Sequence, residues 1–202
     1  MTAADPDFDV AWFGRPRDGE SVGGDAAVQV RRPDGAFVAV IDVLGHGPSA
    51  RRAADLAVAE LLASADPDLT EVLRRLHEAL RGGPGAALAV AFAERAGGRL
   101  RFAGVGNVAG RVLGAAEVRL VGRDGVVGQG RRSPREQTAV LRPGDLLLLT
   151  TDGVTGRFGP DEYPGLAFDA AERVARTVVA RWGRPHDDAL CLALRYRPGE
   201  RT

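Results

Sequence analysis

Lysine is absent from the sequence, cysteine and methionine occur once each, histidine occurs three times, and only 5% of the 202 residues are aromatic. A single cysteine, Cys191, excludes an intrachain disulfide framework and a Cys-based zinc site. It lies in the apolar run Ala189 to Leu194, where a buried, inert thiol is expected and not a nucleophile. Long apolar stretches are missing too: none approaches the ~18 residues of a membrane span, and the start MTAADPDFDV has neither a basic region nor an apolar leader core. A cytoplasmic location is the expectation. Net charge is also absent, because 27 basic residues, all arginine, balance 27 acidic ones. No whole-molecule field therefore draws the chain to nucleic acid or to an anionic membrane. The all-arginine usage suits a GC-rich genome as well as phosphate binding, and carries no functional weight. The length fits one domain, residues 1–202, and hence one chemical site.

What is present is a series of short strand-like runs bounded by Gly, Pro or Asp: Phe8 to Phe13, Ala26 to Arg31, Ala36 to Asp42, Ala86 to Ala93, Leu100 to Val105, Val108 to Leu113, Gln137 to Leu141, Leu146 to Thr151 and Ala189 to Tyr196. Two helices stand between the third and fourth. The first runs from about Pro48 to Ala63 with Ala54, Val58, Leu61 and Leu62 at helical spacing. The second takes Asp66 as N-cap and Pro67 at its first position, with Val72, Leu73, Leu76 and Leu80 on one face. A third spans about Asp169 to Arg181. Strands in meander order with grouped helices argue for an α+β fold with antiparallel sheets covered by helices. Asp34-Gly35 and Gly97-Gly98 read as tight hairpin turns.

Four acidic sites sit at strand edges or turns: Asp25 in Gly23-Gly24-Asp25, Asp42 in Asp42-Val43-Leu44-Gly45-His46-Gly47, Asp152 in Thr151-Asp152-Gly153, and the pair Asp187-Asp188. Two end markedly apolar strands, and a carboxylate there is costly unless a cation offsets it. Each taken alone reads as well as a turn or helix cap. Together, aspartates without a His or Cys cluster are ligand chemistry for a hard, oxygen-preferring ion such as Mg²⁺ or Mn²⁺.

These motifs in this order, with Gly104-Val105-Gly106-Asn107 between them and Pro143-Gly144-Asp145 before the apolar strand that precedes Asp152, resemble the PP2C-type serine/threonine phosphatases of the bacterial sporulation and stress-response group. Within that group the resemblance is greatest to the small stand-alone stressosome feedback phosphatases, and it covers about residues 8–196. It implies a four-layer sandwich of two antiparallel β-sheets flanked by helices, with two Mn²⁺ or Mg²⁺ ions at one end. By position, Asp42 would bridge both ions, Asp25 and the Val43 carbonyl would ligate one, and Asp152 and Asp187 the other. A water activated between the ions would attack phosphorus in line. The implied substrate is a phosphoserine or phosphothreonine on a STAS-domain stress regulator. The alternative is a silent phosphatase-fold module that recognises a phosphorylated partner without hydrolysis.

Asp187 and Asp188 should point to opposite sides of the strand they enter, so one alone can face the ions directly. The resemblance puts that role on Asp187 and leaves Asp188 to hold the loop or a metal-bound water by hydrogen bonds. The pattern departs from the larger eukaryotic members at three points. The arginine that would hold substrate phosphate has no counterpart at its usual position, with Arg15 and Arg17 as nearby candidates. Val43 replaces a glycine, and Asn107 replaces an aspartate that would serve a third metal. His46 shapes the loop over the metals or stabilises it by hydrogen bonding, His77 is a boundary residue of the second helix, and His186 contacts substrate or only caps its turn. The run Arg131 to Arg135 is a solvated basic loop by default. A dinucleotide site built on Gly104, Gly106 and Gly110 with Asp124 as ribose ligand fails, because the chain after Asn107 reads as a strand and not a helix.

Overall fold

The computed structural model describes residues 5–64, 68–130 and 134–199. Ten strands form two five-stranded antiparallel sheets. One has the order β1 (Phe8–Arg15), β10 (Ala189–Tyr196), β9 (Leu146–Thr150), β6 (Ala109–Leu113) and β7 (Val118–Val121). The other has the order β2 (Asp25–Arg32), β3 (Gly35–Val43), β4 (Ala86–Glu94), β5 (Arg99–Val105) and β8 (Gln137–Val140). Helices α1 (Gly47–Ala63) and α2 (Leu69–Ala79) cover the second sheet, and α3 (Ala171–Trp182) covers the first.

Period-two alternation assigns each side chain to a layer. In β3, Phe37, Ala39, Ile41 and Val43 pack under α1 and α2, while Ala36, Val38 and Val40 face the other sheet. In β10, Leu190, Leu192 and Leu194 face between the sheets, and Ala189, Cys191 and Ala193 lie under α3. Both faces of each central strand are therefore buried, which is why AFVAVI and LLLL read as continuous apolar runs rather than alternating ones. Burial pushes the Cys191 thiol up to about 12, in keeping with an inert core residue. No described helix is long and apolar enough to cross a membrane.

Several boundaries differ from expectation for identifiable reasons. Asp66 and Pro67 fall outside the described residues, and the cap of α2 is Asp68, whose side chain accepts the Thr70 and Glu71 N–H groups. Helix α3 starts at Ala171 and not Asp169: its first N–H is taken by Asp9 of β1, while Asp169 accepts the Tyr163 hydroxyl. Strand β7 was not anticipated, because this short edge strand buries only Leu120. The β2–β3 turn is Pro33-Asp34, with Gly35 already paired to Arg32. A side chain at Gly35 would meet the Ala93 carbonyl at 2.2 Å, so it is close approach and not turn geometry that requires glycine there. Gly97 and Gly98 do adopt the positive φ of a turn.

Phe102 is fully buried between the sheets and is touched by the space that Gly104 and Gly110 leave open. Phe102→Ala is expected to lower unfolding free energy by about 3–5 kcal/mol, read from the denaturation midpoint at unchanged slope.

Candidate metal centre

Four carboxylates reach one end of the sandwich, two from each sheet. Asp25 opens β2 and stands directly across from Asp42, near the end of β3. By alternation with Ala27 and with Val38 and Val40, both point toward the opposite sheet. Asp152 lies two residues past β9, and Asp187 two residues before β10, its partner strand. Asp42, Val43, Asp152 and Asp187 line a cavity of about 490 Å³ together with Gly106, Asn107 and the Asp124–Val126 loop. Asp25 lies behind it and opens onto a neighbouring cavity with Trp12 and Arg15. The larger cavity around Arg95 is at the opposite strand ends, and there Arg95 is already paired with Asp5 and Asp7.

Like charges directly opposite on paired strands repel, and burial sharpens the repulsion. Burial first, then the neighbouring Asp42, pushes the Asp25 carboxyl up to about 8, against a lowering hydrogen bond from Thr151. Burial and the charges of Asp152 and Asp187 likewise raise Asp42. Asp152 is raised by burial and Asp187, with the Arg184 guanidinium pulling the other way. Asp42 and Asp152 are hydrogen bonded to each other, as a shared proton allows. Asn107 Nδ2 donates to Asp152 Oδ2, and Thr151 Oγ1 donates to Asp25 Oδ2 at 2.7 Å. Among the described residues, no three His, Cys, Asp or Glu side chains stand ready as a metal cage. Asp25, Asp42 and Asp152 are instead held by a hydroxyl, by the Asp42–Asp152 hydrogen bond and by an amide. Their chemistry nonetheless fits a hard dication: they are oxygen donors of one sign, crowded at one end of the sandwich, and Asp25 and Asp42 hold their protons more tightly than free carboxyls, protons that a cation would replace.

Asp188 does something different from its neighbour. It is 6% exposed, in phase with Leu190, and crosses to the other sheet, where Oδ2 accepts the Gly24 N–H at 2.7 Å and Oδ1 accepts the Arg17 N–H at 2.8 Å. Gly23 and Gly153 let the chain pass this close, since a Cβ at either would stand 2.7 Å from the Asp188 carboxyl carbon or 1.8 Å from the Asp188 carbonyl. His46 Nδ1 lies 2.9 Å from Glu20 Oε1 at the start of α1. His77 accepts the Gly128 N–H, tying α2 to the cleft-side loop, and His186 is exposed. Arg15 donates to the Pro16 carbonyl at 3.0 Å and reaches that of Asp187 at 3.5 Å. Arg131 and Arg132 fall outside the described residues, and after Asn107 the chain enters strand β6, which leaves the dinucleotide reading no helix. Thr151, Glu20, Asp124 and Arg184 had not been singled out for this site. Thr151 was findable, because Leu147, Leu149 and Thr151 share one phase.

Residues 32–197 match the family model for stage II sporulation protein E (SpoIIE). The chain belongs to the SpoIIE family. One solved structure similar to this SpoIIE-family chain, from work on "the bacterial stressosome: a modular system that has been adapted to control secondary messenger signaling", is 30% identical, with a TM-score of 0.86 over 93% of this chain and 99% of that one. RsbX in complex with magnesium is 16% identical, with a TM-score of 0.83 over 96% and 98%. The PP2C phosphatase domain of Bacillus subtilis SpoIIE, solved with a fragment of its regulatory domain, is 15% identical, with a TM-score of 0.74 over 93% and 63%. Among curated proteins none matches. The SpoIIE-family chain is thus a PP2C-type protein phosphatase with the two-sheet, three-helix architecture of that fold.

The raised carboxyls set a pH dependence for the metal-free protein. In the unfolded chain Asp25 releases its proton near 3.8, whereas in the fold it keeps it to about 8. Across that window the native state binds more protons, so stability falls as pH rises. Thermal melts in chelator are expected to show this decline, and Asp25→Asn is expected to flatten it. A melting temperature that rises from pH ~5 to ~8 contradicts the assignment.

Proposed function

We propose that the chain hydrolyses phosphoserine or phosphothreonine on a regulatory protein by means of two divalent ions, Mn²⁺ or Mg²⁺. Asp42 would be shared by both ions, Asp25 and the Val43 carbonyl would help hold one, and Asp152 and Asp187 would hold the other. The observation that carries this reading is the convergence of carboxylates from both sheets on one cleft, where burial and mutual repulsion leave them short of cationic charge. When bound, the ions supply that charge and an activated water for in-line attack on phosphorus. The remaining work belongs to the chain. Thr151 orients Asp25, Asn107 orients Asp152, and Asp188 fixes the Gly23-Gly24 turn from which Asp25 emerges. His46 and Glu20 hold the loop that follows Val43. Asn107, in place of an aspartate, removes one carboxylate that a third ion would use.

A phosphorylated side chain presented on a protein surface suits the shallow, solvent-open rim formed by Leu44, Gly45 and the Asp124–Val126 loop. A STAS-domain stress regulator is the substrate we propose. Family membership, together with the stressosome context of one relative and the magnesium of another, supports partner and metal alike. A cytoplasmic site of action suits such a partner.

Chelated protein should not hydrolyse an aryl phosphate, and millimolar-range Mn²⁺ or Mg²⁺ should restore turnover. Asp42→Asn and Asp187→Ala should each lower that turnover by orders of magnitude. Asp188→Asn should keep the metal requirement but lose about 1–3 kcal/mol of stability, since an amide accepts at one atom only and leaves a buried N–H unpartnered. Chelator-resistant hydrolysis would sink the two-ion reading, and a protein inert in Mn²⁺ would point to the silent module.

A further inference from the structure

The proposed centre leaves one requirement unmet. Four carboxylates and two dications cancel in charge, so the ions alone give a phosphate dianion no net field to enter. A phosphate site of this kind needs a cation within reach of the ions, with its donors unengaged.

Arg15 does not meet that description. Its guanidinium is committed to main-chain carbonyls, and it lines the cavity behind Asp25 instead of the one between Asp42 and Asp187. Arg17 is anchored through its main-chain N–H to Asp188, which lies outside the cleft lining. Arg184 comes nearer to it: although it does not line the cleft itself, its guanidinium stands close enough for its charge to act on Asp152. Its N–H donates to the Gly153 carbonyl at 2.7 Å, one residue past Asp152, and its own carbonyl accepts the Asp187 N–H at 3.2 Å. The main chain of Arg184 therefore braces both acids that would hold the second ion. Its side chain is exposed, and no ion pair engages it among the described residues.

We propose that Arg184 is the residue of this chain that binds the substrate's phosphoryl oxygens, standing at the Asp152–Asp187 side of the cleft. The inference rests on the two-ion reading above. It names a cation that no strand-end motif announces, because it lies in the loop between α3 and β10, three residues before Asp187. The planar fork of a guanidinium matches two phosphate oxygens at once, so an ammonium would serve only in part. Binding through the side chain, with bracing through the main chain, also means that truncation should spare the loop.

The test compares wild type, Arg184→Ala and Arg184→Lys, using a phosphoserine peptide as substrate and inorganic phosphate as ligand of the Mn²⁺-loaded protein. Arg184→Ala should raise the KM for the peptide and the Kd for phosphate together, each by about tenfold or more, the lower end for a hydrogen bond to a charged group. Mn²⁺ affinity and melting temperature should stay as in wild type, and Arg184→Lys should recover part of the loss. Unchanged KM and phosphate Kd overturn the proposal. So does a parallel loss of Mn²⁺ affinity, which would make Arg184 a brace for Asp152 and Asp187 and nothing more. A wild-type chain that binds phosphate through Arg184 but shows no metal-dependent turnover leaves this inference standing and overturns the phosphatase reading instead.

Discussion

Two aspartates facing each other across β2 and β3, at the end of a sandwich whose interior is largely apolar, set the terms for everything around them. An antiparallel pair of like charges is unfavourable in itself, and the opposite sheet adds Asp152 and Asp187 to the cleft that Asp42 lines, with Asp25 behind it. Without a cation the fold keeps protons on carboxyls that would lose them in water, and it leans on Thr151 and Asn107 for hydrogen bonds. Under the proposed two-ion reading, dications would relieve this repulsion, and the geometry of the strands themselves would favour their binding. The apolar layers under α1, α2 and α3 hold those strands in register and so keep the acids from moving apart.

Adjacent acids carry out opposite tasks here. Asp187 lines the cleft, whereas Asp188 turns inward and joins the first sheet to the Gly24 and Arg17 main chain of the segment leading into the second. The division follows from strand alternation, because Asp188 shares its phase with Leu190 and Leu192. An amide at position 188 could satisfy one of those N–H groups, but a carboxylate satisfies both.

Much of this was legible in the residues before any coordinates. Nine of the ten strands could be placed because their edges carry Gly, Pro or Asp, and two of the acids, Asp42 and Asp152, stood out by ending apolar runs. The α+β class and the PP2C resemblance followed, and the SpoIIE family membership agrees with both. What escaped had weak local signals. Strand β7 alternates too briefly to register, and the cap of α3 comes from Asp9, far away in sequence. Thr151 and Arg184 matter through cross-sheet and loop contacts that no spacing rule encodes. The Asp34-Gly35 turn misled because the glycine answers to a neighbouring carbonyl and not to its own φ.

The central claim is that dications replace protons on this carboxylate cluster. It is tested most directly by calorimetric titration of Mn²⁺ into the metal-free chain near pH ~7, in buffers of differing ionisation enthalpy. The account predicts saturable binding whose heat shifts with the buffer, showing release of about one or more protons per chain as the carboxyls of Asp25 and the Asp42–Asp152 pair ionise. Binding with buffer-independent heat, or no binding at all, would contradict it.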